Sequence, residues 1–254
     1  MSSSKAPRVT YKRGGALAYR KKKSARPLAN GVALVSVPFF AFGPTQSPTF
    51  PARMTTRMVA NINGTLTYKN DTIAQKFYRL NGPQDIATAV GGTQAYFWDT
   101  LVGDNGGSQP YAKYRVLWSK FCVEFNNYHE DTNPPIVGVV VAVGLNGVDS
   151  NAAGLELLMQ RGGSKFVPLG CKSGSNNQRS IKGFVSHKDL LGVKDMKDAD
   201  DQIADAATTP DKQINLMIAC APTDFADTTS RNIAFRLKIE FQVELFELNN
   251  VLSS

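Results

Sequence analysis

From residue 232 to 246 apolar and polar side chains alternate almost without a break. Ile233, Phe235, Leu237, Ile239, Phe241, Val243 and Leu245 fall on one face, and Arg236, Lys238, Glu240, Gln242 and Glu244 on the other. Successive side chains of a strand point to opposite sides, so this segment reads as a strand with one buried and one wet face. Looser alternation predicts strands over 54–69, with Gly64 as a bulge, and over 75–80, 165–171, 180–188 and 213–221. A further strand is predicted over 114–126, with Leu117, Phe121, Val123 and Phe125 sharing a face. Residues 136–145 are almost continuously Val and Gly, as expected of a strand covered on both sides. Helical turns are predicted at 94–102, 152–160 and 189–206. They fall in connections and do not alternate with the strands, which disfavours a parallel βαβ sheet. The expected fold class is all-β, an eight-stranded antiparallel jelly roll with small loop helices.

That pattern does not reach the N-terminus. Residues 1–30 have few large apolar side chains, so they cannot bury enough surface to offset the entropy of ordering; they are expected to form a disordered arm. Residues 31–53 are apolar but punctuated by Pro38, Pro44, Pro48 and Pro51, which block helix interior and ladder donation alike. They read as an extended linker, and 54–254 as the jelly-roll domain.

Charge sharpens this division. The formal net charge is +8, yet the first acidic residue is Asp71. Residues 1–30 carry nine cations and no anion, leaving the other residues near neutrality. A neutral body with a cationic arm is suited to hold a polyanion. The candidate nucleic-acid-binding residues are Lys5, Arg8, Lys12, Arg13, Arg20, Lys21, Lys22, Lys23 and Arg26, joined by Arg53 and Arg57 at the start of the body. Tyr11 and Tyr19 lie among the arm cations, where stacking on unpaired bases and no role at all are equal readings. No base-reading motif is present, so little sequence preference is expected. The run Arg20, Lys21, Lys22, Lys23 has a second reading as a nuclear import signal, because the same charges attract an acidic import receptor.

Other function classes find little support. Cys122, Cys171 and Cys220 are odd in number and lack ligand spacing, so neither a disulfide framework nor a zinc site is indicated. The longest apolar stretches, 31–42 and 136–145, fall far short of the ~20 residues of a spanning helix, so no membrane insertion is expected. The two histidines, His129 and His187, stand outside any catalytic motif, and neither an enzyme nor a cofactor is expected. Gly162, Gly163, Ser164 and Lys165 resemble part of a phosphate loop but lack its earlier Gly, and read as a turn. The acidic stretch 195–205 reads first as the solvated face of a loop helix, then as a partner for a basic neighbour, and last as a cation site. Trp118 and the run Tyr96, Phe97, Trp98 read as core or interface anchors before ligand stackers.

The order of these features resembles the capsid proteins of small circular, Rep-encoding single-stranded DNA viruses, the circovirus-like group. The resemblance lies in the basic arm, in QPYAKYRVLWSK from Gln109 to Lys120, in SNNQRSIKGFVSHK from Ser175 to Lys188, and in the long alternating strand before a short tail. It implies self-assembly into an icosahedral shell of 60 copies with the arms inside, packaging of single-stranded DNA, and residence in the virion and, during assembly, the host nucleus. Sixty such arms would bring ~540 charges to the packaged phosphates. Small single-stranded RNA viruses use a similar fold and arm, so an RNA cargo stays open, as does a non-viral jelly-roll ligand-binding protein.

Overall fold

The computed structural model describes residues 50–68, 73–87, 93–102, 109–128, 137–145, 159–160, 163–172, 176–222 and 230–248. The expected arm, most of the linker, His129 and most of the 152–160 helix lie outside the described residues. The strands are β1 (Arg53–Tyr68), β2 (Ala74–Arg79), β3 (Tyr111–Asn126), β4 (Val137–Leu145), β5 (Lys165–Leu169), β6 (Gln178–Ser186), β7 (Ala204–Asp205), β8 (Ile214–Pro222) and β9 (Arg231–Leu248). Two short helices, α1 (Trp98–Leu101) and α2 (His187–Leu191), sit in connections.

The strands form two antiparallel sheets, ordered β1-β9-β3-β6 and β2-β8-β4-β5, with the two-residue β7 added beside β3. Of the connections between the eight long strands, only β4 to β5 stays within one sheet; the others pass between sheets. This interleaving is the jelly roll, and each of the eight predicted strands has its counterpart in it.

Strand β9 is the spine. It pairs with β1 from Arg53↔Phe246 to Tyr68↔Arg231 and with β3 from Tyr111↔Leu248 to Asn126↔Ala234. All seven apolar residues of its predicted inner face are buried. They meet Leu216, Ile218, Val139 and Val141 of the second sheet in one core. Strand β4 is buried on both faces from Val137 to Ala142, as its composition predicts. Its outward Val140 and Ala142 join Met217, Ala219 and Ala221 in a second apolar cluster.

Three expectations are corrected. Gly64 is not a bulge, because the β1–β9 register runs through Gly64↔Phe235 without a shift. It is instead the place where the Phe235 ring lies over the backbone, as Phe121 lies over Gly183 on β6. The bulge is in β3, between Val116 and Trp118. It moves the inner face from Tyr114 and Val116 to Ser119, Phe121, Val123 and Phe125, and leaves Leu117 half-buried instead of in line with them. The helix predicted over 189–206 is broken, since Gly192 ends α2 in the left-handed conformation (φ 69°) and two 3-10 turns follow.

The two covered glycines test this packing. Gly183→Ala and Gly64→Ala each place a Cβ inside contact distance of a buried phenylalanine ring. Each substitution is expected to lower the denaturant-derived stability by about 1–3 kcal/mol through overpacking. Unchanged stability for both would contradict the ring-over-glycine arrangement.

Candidate nucleic-acid interface

Of the eleven candidate nucleic-acid-binding residues, the described structure contains Arg53 and Arg57; the other nine, including the import-signal run, lie outside it. The structure places both arginines on β1 with side chains on the outer face of the first sheet. That face follows from the pleat: with the β9 apolar residues turned inward, their neighbours must turn out.

Each arginine meets a carboxylate from β9. Arg53 Nη1 lies 3.6 Å from Glu244 and Arg57 Nη1 3.4 Å from Glu240. The Arg53 and Arg57 side chains nevertheless keep 59% and 55% of their surface exposed. Exposed pairs of this kind contribute about 0–1 kcal/mol, so water or another anion can compete for the guanidinium. A third arginine, unnoticed in the sequence, is different. Arg115 is buried, donates from Nε to Glu244 (2.6 Å) and from Nη1 to the Met196 carbonyl (3.0 Å), and lies over the Phe246 ring. Its charge is satisfied within the fold.

Moving along the sheet from Arg57, the register sets Arg57, Gln242, Trp118 and Ser186 in one row. The next rows hold Val59, Glu240, Lys120 and Phe184, then Asn61, Lys238, Cys122 and Lys182. Trp118 reaches this face because of the β3 bulge. The Arg57 guanidinium lies 5.5 Å and the Lys120 ammonium 4.8 Å from its ring centroid, and the Phe184 ring stands 5.7 Å away. At the far end an open groove of about 930 Å³ is lined by residues including Asn63, Glu124, Tyr128, Arg179 and Arg236.

The remaining sequence candidates take structural places. Trp98 is buried against Tyr114, ring centroids 4.7 Å apart, while Tyr96 and Phe97 are exposed. Phe97 adopts the left-handed conformation (φ 70°), and the Tyr96 N–H donates to Val59 O on the free edge of β1. The acidic stretch is a set of turns held by Asp195, which accepts from the Lys197 N–H, by the Asp201–Lys212 pair at 2.6 Å, and by buried Gln202, which Asn81 contacts at 2.9 Å. Among the described residues no three His, Cys, Asp or Glu side chains converge on a possible metal position. Gly163 and Ser164 form the turn into β5, with Ser164 Oγ donating to Met159 O. Cys122, Cys171 and Cys220 are free thiols, and burial pushes the Cys220 thiol up to about 12. Among the described residues no helix is long and apolar enough to cross a membrane.

Sequence reading missed one buried contact. Ser119 Oγ lies 2.9 Å from His187 Nε2 and also contacts the Leu80 carbonyl; His187 Nδ1 lies 3.0 Å from the Val116 carbonyl. The ring is fully buried and Nδ1 faces a backbone carbonyl where a catalytic triad would have a carboxylate. The contact therefore ties α2 and the end of β2 to β3. No catalytic motif marks it, since Ser119 and His187 stand 68 residues apart in separate segments.

No family model matches the chain, and no curated protein matches it. Similar folds occur among solved structures. One is the decameric BFDV capsid protein, at 13% identity and a TM-score of 0.43 over 77% of this chain and 99% of that one. A second is a chain of Mud crab tombus-like virus, at 12% identity and a TM-score of 0.44 over 98% and 96% respectively. A third is a chain of Desmodium yellow mottle tymovirus, at 13% and 0.36 over 84% and 98%. These are similarities of fold alone, and the function proposed below is drawn from the residues of this chain.

The buried histidine gives a prediction with a defined sign. Desolvation pushes the His187 pKa down to about 4, against a smaller upward pull from the Val116 carbonyl. The unfolded chain, with a pKa near 6.5, therefore takes up a proton at a pH where the folded chain does not. Its contribution is complete above about pH 7 and is lost as pH falls toward 4, with about 2 kcal/mol gone between pH 7 and pH 5. NMR titration should show no protonation of the folded His187 ring down to about pH 5. A midpoint near the unperturbed value would refute this.

Proposed function

We propose that this chain is a viral capsid protein that assembles into an icosahedral shell of 60 copies and packages single-stranded DNA through its basic arm. The observation that carries the reading is the division of charge. Nine cations without an anion occupy residues 1–30, ahead of a near-neutral jelly roll. An arm of this composition supplies sequence-independent attraction to phosphates and releases their counterions. The jelly roll supplies a rigid wall whose stability owes nothing to that charge. The described site fits a structural protein, because its buried polar contacts join elements of the fold and enclose no reactive cleft.

Expressed alone, the full chain is expected to form uniform hollow particles visible by negative-stain microscopy. Only monomers or trimers, with or without added nucleic acid, would overturn the shell. Removing residues 1–30 should change the stability of the body by less than about 0.5 kcal/mol while abolishing retention of nucleic acid. Cargo from native particles should be destroyed by a single-strand-specific deoxyribonuclease; cargo sensitive to ribonuclease would instead identify an RNA virus capsid.

The run from Arg20 to Lys23 is proposed to serve also as a nuclear import signal recognised by a host import receptor. Residues 1–30 fused to a fluorescent reporter should carry it into nuclei. Replacing Lys21, Lys22 and Lys23 by Ala should return it to the cytoplasm, and an unchanged distribution would refute the dual role.

A further inference from the structure

We infer that the outer face of the first sheet carries a second nucleic-acid contact, a stacking site built on Phe184 and Trp118 and fed by Arg57, Lys120, Lys182 and Lys238. This rests on the capsid reading for its cargo, but the site is argued from its own geometry. Phe184 leaves 58% of its surface in water, on the solvent face of an otherwise regular strand. The inward-facing positions of β6 are already taken by buried Ile181 and Val185 and by Gly183 beneath the Phe121 ring, so the core is closed at this strand and Phe184 contributes nothing to it. Trp118 stands next to it because the β3 bulge turns it outward.

The surroundings distinguish a nucleic acid from an apolar partner. Arg57 and Lys120 sit over the indole, and Lys182 and Lys238 flank Cys122 in the adjoining row. Among the described residues Lys120, Lys182 and Lys238 form no ion pair. The carboxylates in these rows are Glu240, already paired with Arg57, and Glu124 in the row beyond. A ring platform with surplus cations about one nucleotide spacing away is the arrangement that binds unpaired bases without reading their identity. The rest of the chain is near neutral, with 20 cations against 21 anions, so a second copy brings no surplus of anions to match this cluster, whereas a phosphate chain does. The position also suits the cargo. The basic segment precedes β1 in sequence, and Arg57 lies four residues past the first residue of that strand, about 13 Å along it at strand rise.

The test uses the full chain and oligodeoxythymidylate as probe, at salt high enough to weaken the phosphate contacts and leave stacking. Binding should quench Trp118 emission, against a constant background from buried Trp98. Phe184→Ala should weaken binding about tenfold, the size of one lost base–ring stack, while Phe184→Tyr retains it. Lys120→Gln should leave stacking in place and reduce the salt slope by about one contact. Equal affinity for Phe184→Ala and wild type, with Trp118 unquenched, would overturn the site while leaving the shell intact. Unchanged binding combined with failure to form particles would overturn it in favour of a contact between copies. A wild-type chain that binds and quenches but never assembles would support the stacking site and refute the capsid reading.

Discussion

Strand β9 is hydrogen-bonded along both edges, and the rest of the fold is arranged around that fact. With β1 on one side and β3 on the other, its backbone polar groups are satisfied over most of its length, so its inner side chains can be fully desolvated. Seven of them are, from Ile233 to Leu245. A one-residue slip against either neighbour would exchange Ile239 and Phe241 for Lys238 and Glu240 in the core. Register is therefore fixed by burial, and fixed register dictates the opposite face. Glu240 must come up beside Arg57, and Glu244 between Arg53 and Arg115. The charges on the outer face of the first sheet are a consequence of the strand that holds the core together.

Only one irregularity is introduced into this ladder, and it has two effects. The extra residue at Leu117 keeps Arg115 and Trp118 on the same face, although they are three positions apart where a regular strand would demand an even spacing. Inside, it brings Ser119 to the position where it meets both the Leu80 carbonyl and His187. Neutral imidazole and hydroxyl bring two protons to the three contacts from Val116 to Leu80. One contact is left without a proton, and the Val116 carbonyl accordingly pulls against desolvation in setting the ring's basicity. The bulge thus couples the anchoring of α2 to the display of the tryptophan.

What could be read from the sequence was what is local. Alternation in β9 and the valine run of β4 are set by neighbours one and two residues away, so both strands were legible together with the fold class. The bulge was not, because its evidence lies in the register against β9, and Leu117 accordingly seemed to belong with Phe121. The 189–206 segment carries helix-forming side chains, but Gly192 and the Asp195 cap divert it into turns, and Asn81, just past the end of β2 and remote in sequence, holds those turns through its buried contact with Gln202. The arginines show the same limit. Their charge was visible at positions 53 and 57, whereas their carboxylate partners and the indole beside Arg57 come from strands remote in sequence. Trp118 read as an anchor because an isolated tryptophan is most often buried.

These separations bear on how an arm and a wall would divide the work of holding a polyanion. A segment with nine cations and no anion would attract phosphates at long range, with a grip that falls steeply as salt rises. The outer face of the first sheet is a poor attractor, since Glu240 and Glu244 cancel part of its charge. Exposed pairs hold so weakly, however, that a phosphate brought to this face would displace the carboxylate from Arg57 at little cost. Stacking on an exposed ring is far less sensitive to salt and adds persistence where the arm adds only attraction. Recruitment and retention therefore call for different chemistry. A chain that confines its surplus charge to a segment outside the core can supply the first without weakening the sheet that supplies the second.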